Sequence, residues 1–371
     1  MRVLIAGDRQ QDRDLGRRAA LRLGLECTAA DCVPLADLRL RLAREPAIHL
    51  IVVCVDPDPA QAARAIKSAA GQTRQPIFAV TSNDEASVRE SIEQAGAAAV
   101  WPLDGVRDEL LKSTEELRRN GMFNERRGRL IAVTGALPGS GVTTIASGLA
   151  FALAGKSPVA LAELSPGIPE LALDLELNSR HSLLDLIQAG DRLDASMIRE
   201  AAAHHQAGVD VLAYAPETLV AEPLTVEVAR DFQILLRVLY EWVVVDAGHL
   251  RPIEDDQVVR YADLVVLVAR MDPPSLRLTR RYLQALVNQG MRADQLLVVV
   301  NRYGQSGQVA WRKAEEVLKA PVAAWLPDDP KAVNRALVDG QPLTQVARGS
   351  KLTRELARLA GEVRNRYATS K

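Results

Sequence analysis

The chain has 371 residues, 48% hydrophobic and 25% charged, which suits about two globular domains and excludes a disordered chain. Its formal net charge of -1 gives no overall positive field, so we expect no nucleic-acid partner. The first residues, MRVLIAGD, lack the apolar core of a signal peptide, and no apolar run reaches membrane-spanning length. We therefore expect a cytoplasmic protein whose three cysteines are reduced thiols.

The first 120 residues alternate short apolar segments with amphipathic ones. Strands are predicted at VLIA (3–6), LIVVCV (50–55), IFAV (77–80) and AAAV (97–100), with a weaker strand near Cys27. Helical patterns lie between them at 35–42, 60–69, 86–95 and 106–117. Buried strands that alternate with helices predict a parallel sheet covered on both faces.

A polar, basic and glycine-punctuated segment, RRNGMFNERRGR (118–129), follows and is typical of a linker. We therefore predict one domain at 1–120, a basic linker at 121–129 and a second domain at 130–371. No internal repeat or low-complexity tract is evident.

The second domain repeats the alternation on a larger scale. Its clearest strands are LIAV (130–133), VALA (159–162), WVVVD (242–246), LVVLVA (264–269) and LLVVV (296–300), with helical patterns at 226–240 and 275–288. Ligands of such α/β sheets bind at the carboxyl ends of the strands. Three informative features fall there: a glycine-rich loop, Asp246 and Asn301.

The glycine-rich loop reads TGALPGSGVTT (134–144), between a predicted strand and a predicted helix. In the phosphate loop G-x-x-x-x-G-K-[ST], the lysine reaches the phosphates and the hydroxyl residue holds Mg²⁺. Here Gly141 and Thr143 fit, but Ala136 replaces the first glycine and Val142 replaces the lysine. The segment is either a vestigial or weak nucleotide site or a turn only, and we favour the site.

The order of elements in the first domain resembles the receiver domain of response regulators, a flavodoxin-like (βα)5 fold. Working receivers use an acid pair, an aspartate acceptor, a hydroxyl residue and a lysine. Here Gly7-Asp8 stands for the acid pair, Cys54 lies near the acceptor position, Thr81 fits, and Trp101-Pro102 replaces Lys-Pro.

A shifted acceptor at Asp56 or Asp58, just past the third predicted strand, stays open. A phosphoryl group there would lack the cation and the Mg²⁺ site that compensate its charge. We therefore predict no phosphoacceptor, and a receiver-like fold kept for docking or dimerisation.

The second domain resembles the deviant P-loop ATPases of the MinD/ParA group, whose loop reads K-G-G-x-G-K-[ST]. Leu137 replaces the signature lysine, which in that group crosses a dimer to the partner's phosphates, and Pro138 removes a backbone N–H donor. The resemblance implies that a bound nucleotide would contact Gly139, Ser140, Gly141, Val142, Thr143, Thr144, Asp246, Asn301 and Arg302.

Within that set, the resemblance implies distinct roles. Thr143 and Asp246 would hold Mg²⁺ if nucleotide binds, although a structural hydrogen-bonding role for Asp246 stays open. Asn301-Arg302 matches the Asn-Arg that contacts adenine. Glu163-Leu164-Ser165 replaces the group's D-x-D, so the carboxylate that positions the attacking water is absent. We predict no catalytic residue; Arg270 or Arg302 could replace a lysine only from the strand ends.

Three longer stretches resemble the CpaE/TadZ family of Tad (Flp) pilus assembly, which joins an atypical receiver to a MinD-like domain. They are SLLDLIQAGDRLDASMI (182–198), ADLVVLVARMDPPSLRLTRRYLQAL (262–286) and LPDDPKAVNRALVDGQPLTQVARGSKLTRELARLA (326–360). This resemblance implies a non-enzymatic scaffold that acts with the pilus secretion ATPase and inner-membrane assembly proteins.

Two hypotheses follow. The first is a homodimeric scaffold with weakly held ATP and Mg²⁺ at most, peripheral to the inner membrane or cell pole through its partners. The second is an active ATPase switch that dimerises on binding ATP, against which the two missing loop lysines argue. Leu352, Leu356, Leu359 and Val363 share one face of a C-terminal helix, for which packing on the domain is favoured over membrane contact.

Overall fold

The computed structural model describes all residues of the chain except 24, 45–47, 120–127, 156, 166, 178–179, 190–192, 194, 222–223, 250–256 and 369–371. The chain divides into two compact units, Met1–Arg126 and Arg127–Lys371. The predicted linker at 121–129 lies mostly outside the described residues. Its last residue, Arg129, already begins a strand of the second unit.

The first unit is a five-stranded parallel sheet with helices on both faces. Its strands are β1 (Val3–Ala6), β2 (Cys32–Val33), β3 (Leu50–Cys54), β4 (Ile77–Thr81) and β5 (Ala99–Pro102). Its helices are α1 (Gln10–Arg22), α2 (Leu38–Arg44), α3 (Pro59–Ala70), α4 (Ala86–Gln94) and α5 (Val106–Arg119). The strand order β2-β1-β3-β4-β5 is the flavodoxin-like order. One core packs the sheet against α1 and α5, and the other packs it against α2, α3 and α4.

The weak strand predicted near Cys27 forms later, at Cys32–Val33. The chain first makes a 3₁₀ turn over Ala29–Asp31, because Thr28 and Asp31 cap each other's backbone. The buried Asp31 carboxylate also binds the guanidinium groups of Arg2 and Arg41, at 2.9 and 3.0 Å. These bonds hold the turn, so the extended segment begins only after it.

The second unit is an eight-stranded sheet in the order β13-β12-β11-β6-β10-β7-β9-β8, parallel except for β8 at one edge. Its strands are β6 (Arg129–Gly135), β7 (Val159–Glu163), β8 (Ala203–His205), β9 (Val209–Leu212), β10 (Trp242–His249), β11 (Leu264–Arg270), β12 (Leu296–Tyr303) and β13 (Val322–Pro327). Its helices are α6 (Val142–Leu153), α7 (Leu171–Asp174), α8 (Leu183–Ala189), α9 (Ala195–Ala201), α10 (Val226–Leu239), α11 (Gln257–Arg260), α12 (Pro273–Asn288), α13 (Trp311–Leu318), α14 (Pro330–Val338), α15 (Leu343–Val346) and α16 (Lys351–Ala368).

The middle strands of this sheet are apolar on both faces because helices cover both faces. On one face α6 packs against the sheet and against α16, whose Leu352, Leu356, Leu359 and Val363 are all buried. The apolar face of α16 thus lies in the core, as expected. None of the described helices is long and apolar enough to cross a lipid bilayer.

Candidate functional site

The glycine-rich loop joins the end of β6 to the start of α6, at the carboxyl edge of the sheet. Gly139 and Gly141 both have positive φ, +71° and +88°, which favours glycine. At Gly141 a second constraint applies, since a Cβ atom would lie 2.3 Å from the Asn301 side-chain nitrogen. The two matched glycines are therefore needed for the shape of this loop.

Asn301, at the carboxyl end of β12, holds the loop from the side. Its Nδ2 donates to the carbonyl oxygen of Ser140 at 2.8 Å, and its Oδ1 accepts from the Arg302 backbone N–H at 2.9 Å. The Ser140 hydroxyl in turn donates to the Leu137 carbonyl at 2.6 Å. Both atoms of the Asn301 amide thus have partners within the chain, and its contact with adenine stays a prediction.

Val142 occupies the lysine position and points into the protein. Its side chain is 7% exposed and belongs to the core between β6 and α6. A Cβ on Gly135 would lie 2.9 Å from its Cγ2, which shows how closely it packs on the end of β6. Residues 135–144 include no lysine or arginine. Any anion held here would depend on backbone N–H groups and the start of α6.

Thr143 and Asp246 come together as the predicted metal pair. The Thr143 hydroxyl hydrogen-bonds to the Asp246 carboxylate, which also accepts the Gly248 backbone N–H at 2.9 Å. Asp246 is buried in the central strand β10, three residues before its last residue, and burial raises its pKa despite these two bonds. A hydroxyl and a carboxylate are oxygen ligands of the kind that Mg²⁺ prefers, so the pair fits that ion.

Glu163 lies beside Asp246, because the two residues are in register on the neighbouring strands β7 and β10. Its carboxylate accepts the backbone N–H groups of Glu170 at 2.8 Å and Leu171 at 3.0 Å. Burial raises the pKa of Glu163 to about 7, and the charge of Asp246 adds to the effect. This acid therefore fixes the segment that leads into α7, a role that the sequence pattern did not indicate.

Two arginines, Arg270 and Arg302, lie at strand ends, but neither is bonded to a side chain of the glycine-rich loop. Arg270 forms an ion pair with Asp272 at 3.3 Å. Arg302 is exposed and has a left-handed backbone, with φ of +54°. The structure therefore gives no contact through which either guanidinium replaces the missing lysine.

A small cavity of about 40 Å³ lies behind Thr143 and Thr144, between α6, α7, α14 and α15. Its wall includes Asp174, whose pKa is raised to about 6 by burial and then by the charges of Glu170 and Asp246. This volume suits water molecules and is far below the several hundred Å³ of a typical ligand site. The sequence did not predict this cavity, because the helices that line it are far apart in the chain.

In the first unit, Asp56 lies at the position of the shifted acceptor. Its carboxylate accepts the Thr81 hydroxyl at 3.1 Å and the Ser82 backbone N–H and hydroxyl at 2.8 and 2.9 Å. Asp58 is used differently, as the N-cap of α3. Both acids therefore have structural partners.

Two of the other receiver positions, Cys54 and Trp101, hold buried side chains without a charge. Cys54 is buried, and burial raises the pKa of its thiol to about 12. Trp101, where a lysine would be expected, stacks on Phe78 with ring centroids 4.4 Å apart. Asp8 accepts the Leu35 backbone N–H at 3.2 Å. Among the described residues no group of three His, Cys, Asp or Glu side chains could hold a metal ion.

Comparison with solved structures places the fold among the ParA and MinD ATPases. A ParA family ATPase from Chlorobium tepidum TLS is 24% identical, with a TM-score of 0.58 over 64% of this chain and 100% of that chain. The cell division ATPase MinD of Pyrococcus furiosus is 21% identical, with a TM-score of 0.52 over 64% and 99%. A chain of the MinC:MinD cell division protein complex of Aquifex aeolicus is 20% identical, with a TM-score of 0.55 over 64% and 96%. At these identities the likeness establishes the fold alone.

A search of curated proteins found no match. The model of one protein family, described as cellulose biosynthesis protein BcsQ, matches residues 129–362, which is more than half of the chain. That range begins with β6, contains the glycine loop, Asp246 and Asn301, and ends within α16. The chain therefore belongs to the BcsQ family, and its second unit has the fold of the ParA and MinD ATPases.

Proposed function

We propose that this chain is a MinD/ParA-type localisation scaffold that does not depend on ATP hydrolysis. Val142 carries the proposal, because the residue at the lysine position is 7% exposed and packed in the core. Phosphoryl transfer needs positive charge against the charge that develops on the phosphate. Neither Val142 nor Leu137 supplies it, and Ser165 supplies no carboxylate for the attacking water.

Nucleotide would bind weakly and would act as a structural ligand. The pair Thr143 and Asp246 could hold Mg²⁺, and the backbone N–H groups of 139–144 could face phosphate oxygens. Pro138 has no N–H to contribute, and the loop is already braced by Asn301. Binding without a lysine loses the strongest charged contact that a phosphate loop makes.

The resemblance of 182–198, 262–286 and 326–360 to the CpaE/TadZ family points to Tad (Flp) pilus assembly as the machine. The partners would then be the pilus secretion ATPase and inner-membrane assembly proteins. The chain would act in the cytoplasm, at the inner membrane or pole through those partners. The first unit, receiver-like in strand order, would serve docking or dimerisation.

Hydrolysis is tested by steady-state phosphate release from ATP and Mg²⁺. We expect wild type to equal a Thr143→Ala, Asp246→Ala double variant, because neither protein places a cation against the phosphates. Release clearly above that control would overturn the scaffold in favour of the ATPase switch. The switch is favoured by one observation only, the preserved contact between Thr143 and Asp246.

The assignment to pilus assembly is tested by deleting the gene in the native host. Cellulose is measured beside pili, because the matched family is named for cellulose biosynthesis. Loss of surface pili with unchanged cellulose would support the pilus assignment. Loss of cellulose with normal pili would overturn it and leave the scaffold mechanism to be judged by phosphate release alone.

A further inference from the structure

The sulfur atoms of Cys27 and Cys32 lie 3.9 Å apart in the first unit, beside the edge strand β2. Cys27 is buried, Cys32 is half-buried as the first residue of β2, and neither forms a disulfide. We propose that this pair is an oxidation site, at which a peroxide converts the two thiols into an intramolecular disulfide.

The backbone between the two cysteines already brings them together. It is the 3₁₀ turn over Ala29–Asp31, closed by mutual capping of Thr28 and Asp31. Because a disulfide needs sulfur atoms about 2.0 Å apart, the two must approach by roughly 2 Å. The two cysteines are five positions apart and flank this turn, so the approach is confined to one short segment.

The two thiols differ in reactivity. The hydrogen bond from Cys27 and the guanidinium charge of Arg17 lower the pKa of Cys32, although burial and the carboxylates of Asp31 and Asp14 oppose them. The hydrogen bond with Cys32 and then burial raise the pKa of Cys27. Of the two thiols, the more exposed Cys32 is therefore the one that ionises more readily. A more readily ionised cysteine beside a second cysteine is the usual arrangement of a peroxide-sensitive pair.

The reaction proceeds in two balanced steps. The Cys32 thiolate attacks one oxygen of hydrogen peroxide, the O–O bond breaks, and hydroxide leaves a sulfenic acid on Cys32. The Cys27 sulfur then attacks the Cys32 sulfur, the S–O bond breaks, and the leaving hydroxide takes the Cys27 proton. The two cysteines together lose two electrons, and peroxide is reduced to two water molecules.

Cys54 is an internal control for this reaction. It is buried against Gly7 in the core of the same unit, and its pKa is raised to about 12, chiefly by burial. It has neither the accessibility nor the thiolate character that peroxide requires. Cys54 should therefore stay reduced while the pair is oxidised.

The site is tested on the reduced full-length protein treated with hydrogen peroxide, then alkylated and mapped by peptide mass spectrometry. We expect a Cys27–Cys32 disulfide and alkylated Cys54. In Cys27→Ser, dimedone should trap a sulfenic acid on Cys32, whereas Cys32→Ser should give no adduct on Cys27. Absence of the disulfide in wild type, or equal oxidation of Cys54, would overturn the proposal whether or not the variants fold.

The role of Arg17 is tested by a matched pair of substitutions on α1. Arg17 donates through Nε to the Cys27 carbonyl at 3.3 Å, whereas the adjacent Arg18 is exposed. Arg17→Gln should slow peroxide oxidation roughly threefold or more as the thiolate fraction falls, and Arg18→Gln should leave the rate unchanged. Equal rates in both variants would show that Arg17 does not activate Cys32.

Discussion

Asn301 braces the glycine loop through one buried hydrogen bond, from Nδ2 to the Ser140 carbonyl. Asn301→Ala should leave that carbonyl without its partner and lower the free energy of unfolding by about 1–3 kcal/mol. Urea denaturation followed by circular dichroism measures the change. The loss should occur without nucleotide, because the bond lies within the chain.

The matched control is Asn288→Ala, at the end of α12. Asn288 is exposed and its side chain accepts only a surface hydrogen bond from Gln284 at 2.9 Å. Its removal should change stability by less than about 0.5 kcal/mol. If the two variants lose the same stability, Asn301 does not hold the loop.

Glu163 predicts a pH dependence of stability with a definite sign. Its pKa is about 7 in the folded protein against an ordinary value of 4.5, so the folded state binds more protons between those values. Stability from this group is complete below the unfolded pKa and is lost as the pH rises through 7. The loss over the whole titration is on the order of 3 kcal/mol.

Glu163→Gln should flatten this decline, because the side chain then carries no titrating proton. Asp174 and Asp246 also have raised pKa values, so the variant must be compared with wild type and not with a flat line. Denaturation at several pH values from 5 to 8 should show a loss of stability that is smaller in the variant than in wild type by about 2 kcal/mol across the range. The exposed control Glu241→Gln should keep the wild-type slope, and a matching slope in Glu163→Gln would refute the assignment.

The sequence placed Asp246 and the glycine loop at the same edge of the sheet because parallel strands end at a common edge. It could not predict that Asn301 would bond to Ser140. That contact joins residues 161 positions apart and depends on the order β12-β11-β6. From the sequence, Glu163 was interpreted only as part of a departure from the D-x-D motif. Its hydrogen-bond partners, the backbone N–H groups of residues 170 and 171, lie in a segment without periodicity and were not predicted.

At the scale of elements, α6 and α16 approach closely at Gly148. A Cβ there would lie 2.6 Å from Cδ1 of the buried Leu356. Gly148→Ala gains about 1 kcal/mol of helix propensity but must displace a packed side chain, which costs about 1–3 kcal/mol. We expect net destabilisation, measured as a lower midpoint in urea with an unchanged slope.

The matched substitution is Gly361→Ala on α16, where a Cβ would meet no atom within 4 Å. Only the propensity gain applies there, so stability should rise by about 0.5–1 kcal/mol. A loss of stability in Gly148→Ala together with a gain in Gly361→Ala would show which face of α16 packs against α6. Stabilisation by both would mean that the two helices do not pack at Gly148.

Strand prediction succeeded where apolar runs are buried on both faces, as at β3, β10 and β11. The helix α1 was not predicted. Its buried positions include Gly16, Ala19 and Ala20, and small residues among charges give little periodic signal. Strand prediction also missed the short edge strand β8, whose three residues include two histidines. At such positions the neighbouring elements, and not local hydrophobicity, decide the structure.

At the scale of the whole molecule, the two units differ in which site residues of the families they resemble are present. The second unit keeps a hydroxyl and a carboxylate in contact, at Thr143 and Asp246, without a cation in the loop. The first unit has a tryptophan in its core at the position where the receiver resemblance expects a lysine. Both departures favour a role in assembly over a role in turnover.

Assembly should therefore be independent of nucleotide. Leu137 stands where the MinD/ParA resemblance expects the lysine that crosses to the partner's phosphates, and an apolar side chain cannot make that contact. We predict a homodimer in the absence of ATP, with the receiver-like unit contributing to it. Light scattering on the full chain should give twice the chain mass both with and without ATP and Mg²⁺. A monomer that dimerises only when ATP is added would replace the scaffold with the switch, because nucleotide would then supply the free energy of association.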